Sequence, residues 1–149
     1  MKFNVQSKLL LSHLSAVSKV VNSKNTISIL DNFLFSLEDG RLVVTGSDQE
    51  TTITTSVPVT ESEGIGKFAV NVRSILELLK QLPDLGLEFD IDDDNLAILV
   101  RYQNGKYNFI GIDGNEFPQK APMEPGAQTF TVPAAKFVAG VQHAIFAVG

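Results

Sequence analysis

Hydrophobic and polar positions along the chain follow a pattern that occurs three times. A short apolar phrase, in which phenylalanine and valine flank one other residue, stands at 3–5, 68–70 and 130–132, and a helical apolar periodicity follows each one. The phrases begin 65 and 62 residues apart (68 minus 3 and 130 minus 68), so the sequence predicts an internal repeat. Each phrase predicts a short strand that leads directly into a helix.

The first two helices each have an apolar stripe. In the first helix the apolar residues are spaced by four, three and four positions, and they are Leu10, Leu14, Val17 and Val21. Ser7 precedes this run, and we expect its hydroxyl to cap the helix by accepting hydrogen bonds from free backbone N–H groups. The second helix ends before Pro83, and its stripe consists of Ile75, Leu78, Leu79 and Leu82.

Strand-like segments and turn residues fill the intervals between the phrases. Asp39-Gly40 and Asn104-Gly105 are strong signals for the turn of a β-hairpin. The predicted strands are 33–37, 42–45, 51–57, 87–91, 96–102 and 107–112. Each repeat therefore predicts a strand, a helix and three antiparallel strands.

Two such β-α-β-β-β units occupy residues 1–120, which we predict to be one domain of the α+β class with antiparallel sheets. Prolines and Gly126 favour a linker, which we place at 121–128. Residues 129–149 contain the strand and helix of a third unit. Because a lone strand and helix cannot bury both faces, we expect 129–149 to be the truncated start of a second domain.

Composition narrows the class of protein. Hydrophobic residues make up 44% and charged residues 19% of the 149 residues, which is typical of a globular chain. No segment approaches the roughly 20 consecutive apolar residues of a membrane span, and no secretory apolar region follows Met1. The absence of cysteine excludes disulfides and thiolate metal sites. It also suits a reducing compartment, so we expect a cytoplasmic protein without a membrane partner.

Charge is unevenly distributed in a chain whose formal net charge is −5. The first acidic residue is Asp31, and the polar stripe of the first helix is Lys8, Ser12, Ser15, Lys19 and Asn22. One interpretation of this stripe is an ordinary solvated helix face. The other is a surface that passes close to phosphates without gripping them, because small side chains permit close approach and lysines attract anions. In the second helix, Arg73, Glu77 and Lys80 point outward.

Motifs for catalysis or cofactor binding are missing from the sequence. The acidic run from Asp90 lacks the glycine and glutamate of a calcium loop, and 64–66 lacks the third glycine of a dinucleotide loop. His13 and His143 accompany no nucleophile, and the acids at 48–50 fit a turn between strands. We therefore expect no catalytic residue, no metal site and no cofactor.

Several phrases of the chain occur in an order that belongs to one known family. They are 1–3 (Met-Lys-Phe), 26–32 (Thr-Ile-Ser-Ile-Leu-Asp-Asn), 42–50 (Leu-Val-Val-Thr-Gly-Ser-Asp-Gln-Glu), 70–73 and 115–118 (Asn-Glu-Phe-Pro). In these phrases the chain resembles the β subunit of bacterial DNA polymerase III, the β sliding clamp, over essentially its whole length. It departs from the family at Asn25 and Ser28, where prolines are frequent.

The resemblance implies the DNA clamp fold, in which antiparallel sheets form the outside and the two helices of each domain lie on the inner face. It implies a homodimeric ring, three domains in each subunit, that encircles double-stranded DNA and tethers DNA polymerase III. Such a processivity factor for DNA replication is not itself an enzyme. Polymerase and clamp loader would bind mainly to domains two and three, so we do not expect the chain alone to close a ring.

The resemblance also implies roles for individual residues. Lys24 and Arg73 match basic positions that face DNA, and the helix faces add Lys8, Lys19 and Lys80 as further DNA-facing candidates. Tyr107 and Phe109 match apolar edge residues that contact the other subunit. The alternative for these two aromatic residues is that they are ordinary strand residues facing their own core.

Two other functional classes stay open at this point. An acidic α+β module could bind proteins through a sheet edge without contacting DNA, and exchange of Lys24 and Arg73 for alanine would then have no effect on DNA loading. An enzyme with an unrecognised site would need a pocket with convergent titratable groups, and the sequence offers no candidate for one.

Overall fold

The computed structural model describes residues 1–21, 24, 27–48 and 50–118. The predicted linker at 121–128 and the segment 129–149 lie outside these residues. The described elements are β1 (Lys2–Gln6), α1 (Ser7–Ser18), β2 (Asn32–Glu38), β3 (Arg41–Ser47), β4 (Thr52–Pro58), β5 (Thr60–Glu63), β6 (Gly66–Asn71), α2 (Val72–Gln81), β7 (Gly86–Ile91), β8 (Ala97–Tyr102), β9 (Gly105–Ile110) and β10 (Ile112–Asp113). Short 3₁₀ turns at Ser28–Asp31 and Gly114–Glu116 precede β2 and follow β10.

The two repeat units exchange their first strands. Within the described residues there are two antiparallel five-stranded sheets, sheet A in the order β5-β1-β7-β8-β9 and sheet B in the order β10-β6-β2-β3-β4. Strand β1 of the first unit thus lies beside β7 of the second, and β6 of the second unit lies beside β2 of the first. The predicted α+β class with antiparallel sheets and two helices is confirmed, and each sheet contains strands of both units.

The phenylalanines of the repeated phrases mark the two exchanged pairings. Phe3 lies opposite Phe89 in sheet A, and Phe68 lies opposite Phe35 in sheet B. The ring centroids are 4.8 Å apart in the first pair and 5.3 Å apart in the second. Cross-strand aromatic pairs of this kind stabilise a sheet, so each repeat contributes one ring to each junction.

One hydrophobic core lies between the sheets and the helices. It contains the predicted stripes of both helices together with the inward-facing residues of both sheets. Leu10, Leu14, Val17, Ile75, Leu78 and Leu79 are buried, whereas Val21 and Leu82 are only partly covered. Because the helices use one face for this core and also pack against each other, their opposite faces are left on the surface.

The two hairpin predictions have different outcomes. Glu38 pairs with Arg41, so Asp39-Gly40 forms the two-residue turn that the sequence predicts, and Gly40 has a positive φ of 72°. In the second hairpin, Tyr102 pairs with Gly105, and the turn consists of Gln103 and Asn104. The predicted Asn104-Gly105 turn is therefore wrong by one residue.

Ser7 does not cap α1 in the way the sequence suggests. It is the first helical residue, and Gln6 precedes the helix without a capping side-chain hydrogen bond. The buried Ser7 hydroxyl instead donates to the Pro83 carbonyl at 2.8 Å and accepts from the Leu85 N–H at 3.0 Å. The predicted cap is wrong because the hydroxyl is used to connect the start of α1 to the loop after α2.

Neither helix among the described residues has the length and apolar character that crossing a membrane requires.

Candidate functional site

Helices α1 and α2 carry a more positive formal charge than either sheet in the described part of this chain. Helix α1 carries Lys8 as its one charged residue, and α2 carries Arg73, Lys80 and Glu77. Three cations against one anion give the helix pair a formal charge of +2, while the chain as a whole carries −5. The helix faces are therefore local exceptions to an acidic protein.

The cations of the helices differ from those of the sheets in their partners. Lys8, Lys19, Arg73 and Lys80 are exposed, and none of them forms an ion pair with another described residue. On the sheets, by contrast, three of the five strand cations are paired: Lys2 with Asp90, Arg41 with Glu38, and Arg101 with Glu88. The helix cations thus retain their attraction for an external anion.

Local structure determines where two of these cations, Arg73 and Lys19, lie along the helices. The Asn71 side chain accepts a hydrogen bond from the Ser74 N–H at 3.0 Å and caps α2, which places Arg73 in the first helical turn. Lys19 is the C-cap residue of α1, directly after Ser18. Asn71 was not predicted as a cap, although asparagine directly before a helical run is a recognisable capping signal.

A shallow groove brings two of the predicted DNA-facing residues together. Arg73 and Lys80 both line it, on the exposed side of α2, and the end of α1 forms its other wall. Asp31 and Glu77 also line the groove, so acids partly offset its positive potential.

Lys8 is not part of this groove, and Lys24 is an exposed residue of the turn after α1. Their role towards DNA stays a prediction.

The predicted subunit-contact residues occupy the edge of sheet A. Strand β9 pairs with β8 and with no other described strand, so one of its sides is unpaired within the described domain. Tyr107 is 43% exposed, whereas Phe109 is 7% exposed and belongs to the core. Their rings are in contact, with centroids 4.8 Å apart. Tyr107 is therefore the ring that this edge presents to solvent, with Phe109 packed beneath it.

The same strand presents an exposed apolar residue that was not predicted. Ile110 is 87% exposed, and it lies on the opposite face of sheet A from Phe109 because neighbouring strand residues alternate in direction. A signal was present, since two consecutive apolar residues at 109 and 110 break the alternation of a strand with one covered face.

The remaining polar candidates form local structure. Asp92 accepts hydrogen bonds from the N–H groups of Asp94 and Asn95, and Asp48 accepts from those of Glu50 and Thr51, so both acidic segments are turns as predicted. His13 Nδ1 lies 2.8 Å from Thr55 Oγ1 and joins α1 to β4. No group of three or more potential metal ligands occurs within the described residues, and His143 lies outside them.

Comparison with known proteins places the chain in one family. Residues 1–121 match the family model of the DNA polymerase III beta subunit, N-terminal domain. The beta sliding clamp of Pseudomonas putida is 28% identical over 147 residues, which is 99% of this chain and 40% of that protein. The beta sliding clamp of Bacillus subtilis is 29% identical over 131 residues, or 83% of this chain and 34% of that protein.

Solved structures agree with the sequence comparison. The crystal structure of the DNA polymerase III subunit beta from Pseudomonas aeruginosa has a TM-score of 0.80 and is 26% identical. The similarity covers 92% of this chain and 37% of that one. The chain thus spans well under half the length of the proteins it matches.

Proposed function

Because the chain belongs to the family of the DNA polymerase III beta subunit, with the N-terminal domain matched, we propose that it acts as the first domain of a clamp that encircles double-stranded DNA. The clamp would be a processivity factor of bacterial DNA replication that tethers DNA polymerase III. In this role the chain is a non-catalytic accessory part of the polymerase and works in the cytoplasm.

The observation that carries this proposal is the contrast between the two sets of cations. Three of the five cations on the strands are paired with neighbouring acids, whereas Lys8, Lys19, Arg73 and Lys80 on the helix side are all exposed without an ion pair among the described residues. A phosphate backbone would therefore be attracted to the helix side and repelled from the acidic remainder. This distribution of charge supports the proposal that the helices face DNA, with Lys24 in the turn that follows α1.

The mechanism that we propose is topological. A closed ring cannot leave a long duplex sideways, so its contacts with phosphates need not be strong. A few dispersed cations, with Asp31 and Glu77 beside Arg73 and Lys80, give weak contacts that carry no base-sequence information. Weak contacts of this kind permit sliding, whereas a dense basic surface would slow it.

The rest of the assembly follows from the same proposal. Residues 1–120 form domain one, 121–128 connect it to the next domain, and 129–149 supply the first strand and helix of domain two. The β9 edge, with Tyr107 and Phe109, joins a second subunit to give a homodimeric ring. DNA polymerase III and the clamp loader bind mainly to domains two and three of the complete polypeptide, and the function needs no cofactor.

Charge variants of the complete polypeptide test the DNA-facing assignment. We expect Arg73→Ala and Lys80→Ala together with Lys8→Ala to weaken binding to duplex DNA and to lower its salt dependence. The slope of log K for DNA binding against log salt concentration should become shallower by about 0.9 for each phosphate that the protein no longer neutralises. Lys24→Ala and Lys19→Ala would extend the series. Lys67→Ala is the matched control, because Lys67 is exposed on β6 and has no ion pair within the described part of the chain.

The result of this series separates the proposed clamp from a protein-binding scaffold. Loss confined to the helix-side variants supports the clamp. Equal effects from Lys67→Ala, or no effect from any variant, would mean that the helices do not face DNA, and the scaffold would become the better explanation.

A further inference from the structure

Lys24 lies between two points of the chain that are each held by close packing. Before it, the end of α1 lies against β3, where a Cβ atom at Gly46 would be 2.7 Å from Val17 Cγ1 and 3.4 Å from Val20 Cγ1. After it comes the 3₁₀ turn Ser28–Asp31, which leads directly into β2. The place of Lys24 on the surface therefore depends on what holds this 3₁₀ turn.

A second, smaller hydrophobic cluster holds the 3₁₀ turn. It is separate from the core between the sheets and the helices, and its buried members are Ile29, Leu30, Leu34, Ala69 and Phe117. Leu34 and Ala69 are partners across β2 and β6. Their neighbours along both strands belong to the main core, so Leu34 and Ala69 face the other side of sheet B. Phe117 is the largest side chain of this cluster and is 2% exposed.

Hydrogen bonds keep the 3₁₀ turn seated on this cluster. The Leu30 N–H donates to the Ile27 carbonyl at 3.1 Å, and Leu30 itself is fully buried. Asn32 is also buried, and its Nδ2 donates to the Ile29 carbonyl at 3.2 Å. The turn cannot move away from sheet B without exposing Leu30 and breaking the buried bond of Asn32, which is costly in free energy.

Phe117 is itself held in place from the opposite end of the described chain. It follows the 3₁₀ turn Gly114–Glu116, and its N–H donates to the Gly114 carbonyl at 3.2 Å. Gly114 lies directly on β6, because a Cβ atom there would be 2.7 Å from the carbonyl carbon of Lys67 and 2.9 Å from its oxygen. Phe117 is thus a fixed ring that packs under the 3₁₀ turn following Lys24, although it is 93 positions from Lys24 (117 minus 24).

We propose that Phe117 is a positioning residue for the DNA contact of Lys24. It touches no DNA itself and acts by fixing the 3₁₀ turn that ends the Lys24 segment. Loss of the ring leaves a cavity under Ile29 and Leu30, the turn relaxes into it, and the ammonium group of Lys24 is displaced from the phosphates. The inference rests on the proposed function, because the contact of Lys24 with DNA is part of that proposal.

The test measures the affinity of the complete polypeptide for duplex DNA by fluorescence anisotropy at low salt. We expect Lys24→Ala to weaken binding about two- to fivefold, the effect of losing one exposed charge contact. Phe117→Ala should weaken it by the same factor, and the double variant should bind no more weakly than Lys24→Ala alone. Phe117→Leu should retain most of the affinity, because leucine fills much of the space of the ring.

Two control variants separate positioning from a general loss of stability. Phe89→Ala removes a ring that is 1% exposed in the main core, and it should leave the DNA affinity of the folded protein unchanged. Ile29→Ala perturbs the small cluster more gently than Phe117→Ala and should weaken DNA binding in the same direction. Val100→Ala is its match in the main core and should not. Urea unfolding identifies the variants that are folded under the conditions of the binding measurement.

Each other outcome identifies what is wrong. If Lys24→Ala weakens binding while Phe117→Ala and Ile29→Ala do not, the inference is overturned and the DNA contact of Lys24 remains. Additive effects of Phe117→Ala and Lys24→Ala, or equal weakening by the main-core variants, would also overturn it, because Phe117 would then act through overall stability. If Lys24→Ala has no effect and the Arg73, Lys80 and Lys8 variants have none either, the proposed function fails together with the inference.

Discussion

Phe3 and Phe89 stack across sheet A with ring centroids 4.8 Å apart and ring planes 7° from parallel. The two residues are 86 positions apart (89 minus 3) and belong to different repeat units. Phe3 sits at the start of the first unit, and Phe89 sits on the strand that follows α2. Their contact therefore joins the first repeat unit to the second across the paired strands β1 and β7.

We expect Phe3→Ala or Phe89→Ala to lower the free energy of unfolding of this chain by about 3–5 kcal/mol, because each leaves a large cavity in a closed core. A double-mutant cycle in urea should show coupling between the two positions. Ile65→Ala provides a surface comparison and should change stability by less than about 0.5 kcal/mol. Additive effects of the two phenylalanine variants would mean that the rings are energetically independent.

Ser7 gives a sharper test of the connection between the two helices. Ser7→Ala removes the acceptor of the Leu85 N–H and a donor to Pro83, and we expect a loss of about 1–3 kcal/mol in unfolding free energy. Ser12→Ala, on the exposed face of the same helix, should be neutral or slightly stabilising because alanine has the higher helix propensity. Equal effects at both positions would contradict the buried hydrogen bonds.

Gly46 permits the end of α1 to approach sheet B. A Cβ atom at this position would lie 2.7 Å from Val17 Cγ1 and 3.2 Å from the Val17 carbonyl oxygen. We expect Gly46→Ala to cost about 1–3 kcal/mol, and Val17→Ala to relieve part of that cost in the double variant.

Gly86→Ala is the matched control for the Gly46 variant. Its Cβ would meet only Gln6 Nε2, at 3.9 Å, so this substitution should be neutral or stabilising by up to about 1 kcal/mol. Melting temperatures measured under one set of conditions would decide the comparison. A Gly46→Ala variant as stable as Gly86→Ala would show that α1 can move away from β3 without cost.

Local signals in the sequence are sufficient for the helices and for one hairpin. The spacing of Leu10, Leu14 and Val17 identifies α1, because helical periodicity is set by neighbours in the chain. Asp39-Gly40 identifies the β2–β3 turn for the same reason. The resemblance to a known family adds the DNA clamp fold, which the two antiparallel sheets and two helices of the structure match.

Features that depend on distant partners could not be predicted. The exchange of β1 and β6 between sheets is decided by pairing with strands of the other repeat unit, which no local pattern encodes. Strands β5 and β10 are short, and their pairing partners rather than their composition define them. The sequence favours a cap at Ser7 because its actual hydrogen-bond partners, Pro83 and Leu85, are remote along the chain.

The candidate site was predictable only in part. Exposure of Lys8, Lys19, Arg73 and Lys80 follows from helix periodicity. Their lack of ion pairs among the described residues could not be predicted, since it depends on how far the acidic turns lie from the helices in the folded chain. The exposure of Ile110 likewise required knowledge of which strand forms the sheet edge.

Retention on circular DNA tests the central claim most directly. The complete polypeptide would be loaded on a nicked circle with its clamp loader and ATP, the salt concentration raised, and the DNA then linearised. We expect retention at high salt on the circle and release after cutting, because topological linkage is insensitive to charge screening. Release at high salt from the uncut circle would show ordinary electrostatic binding and contradict the clamp.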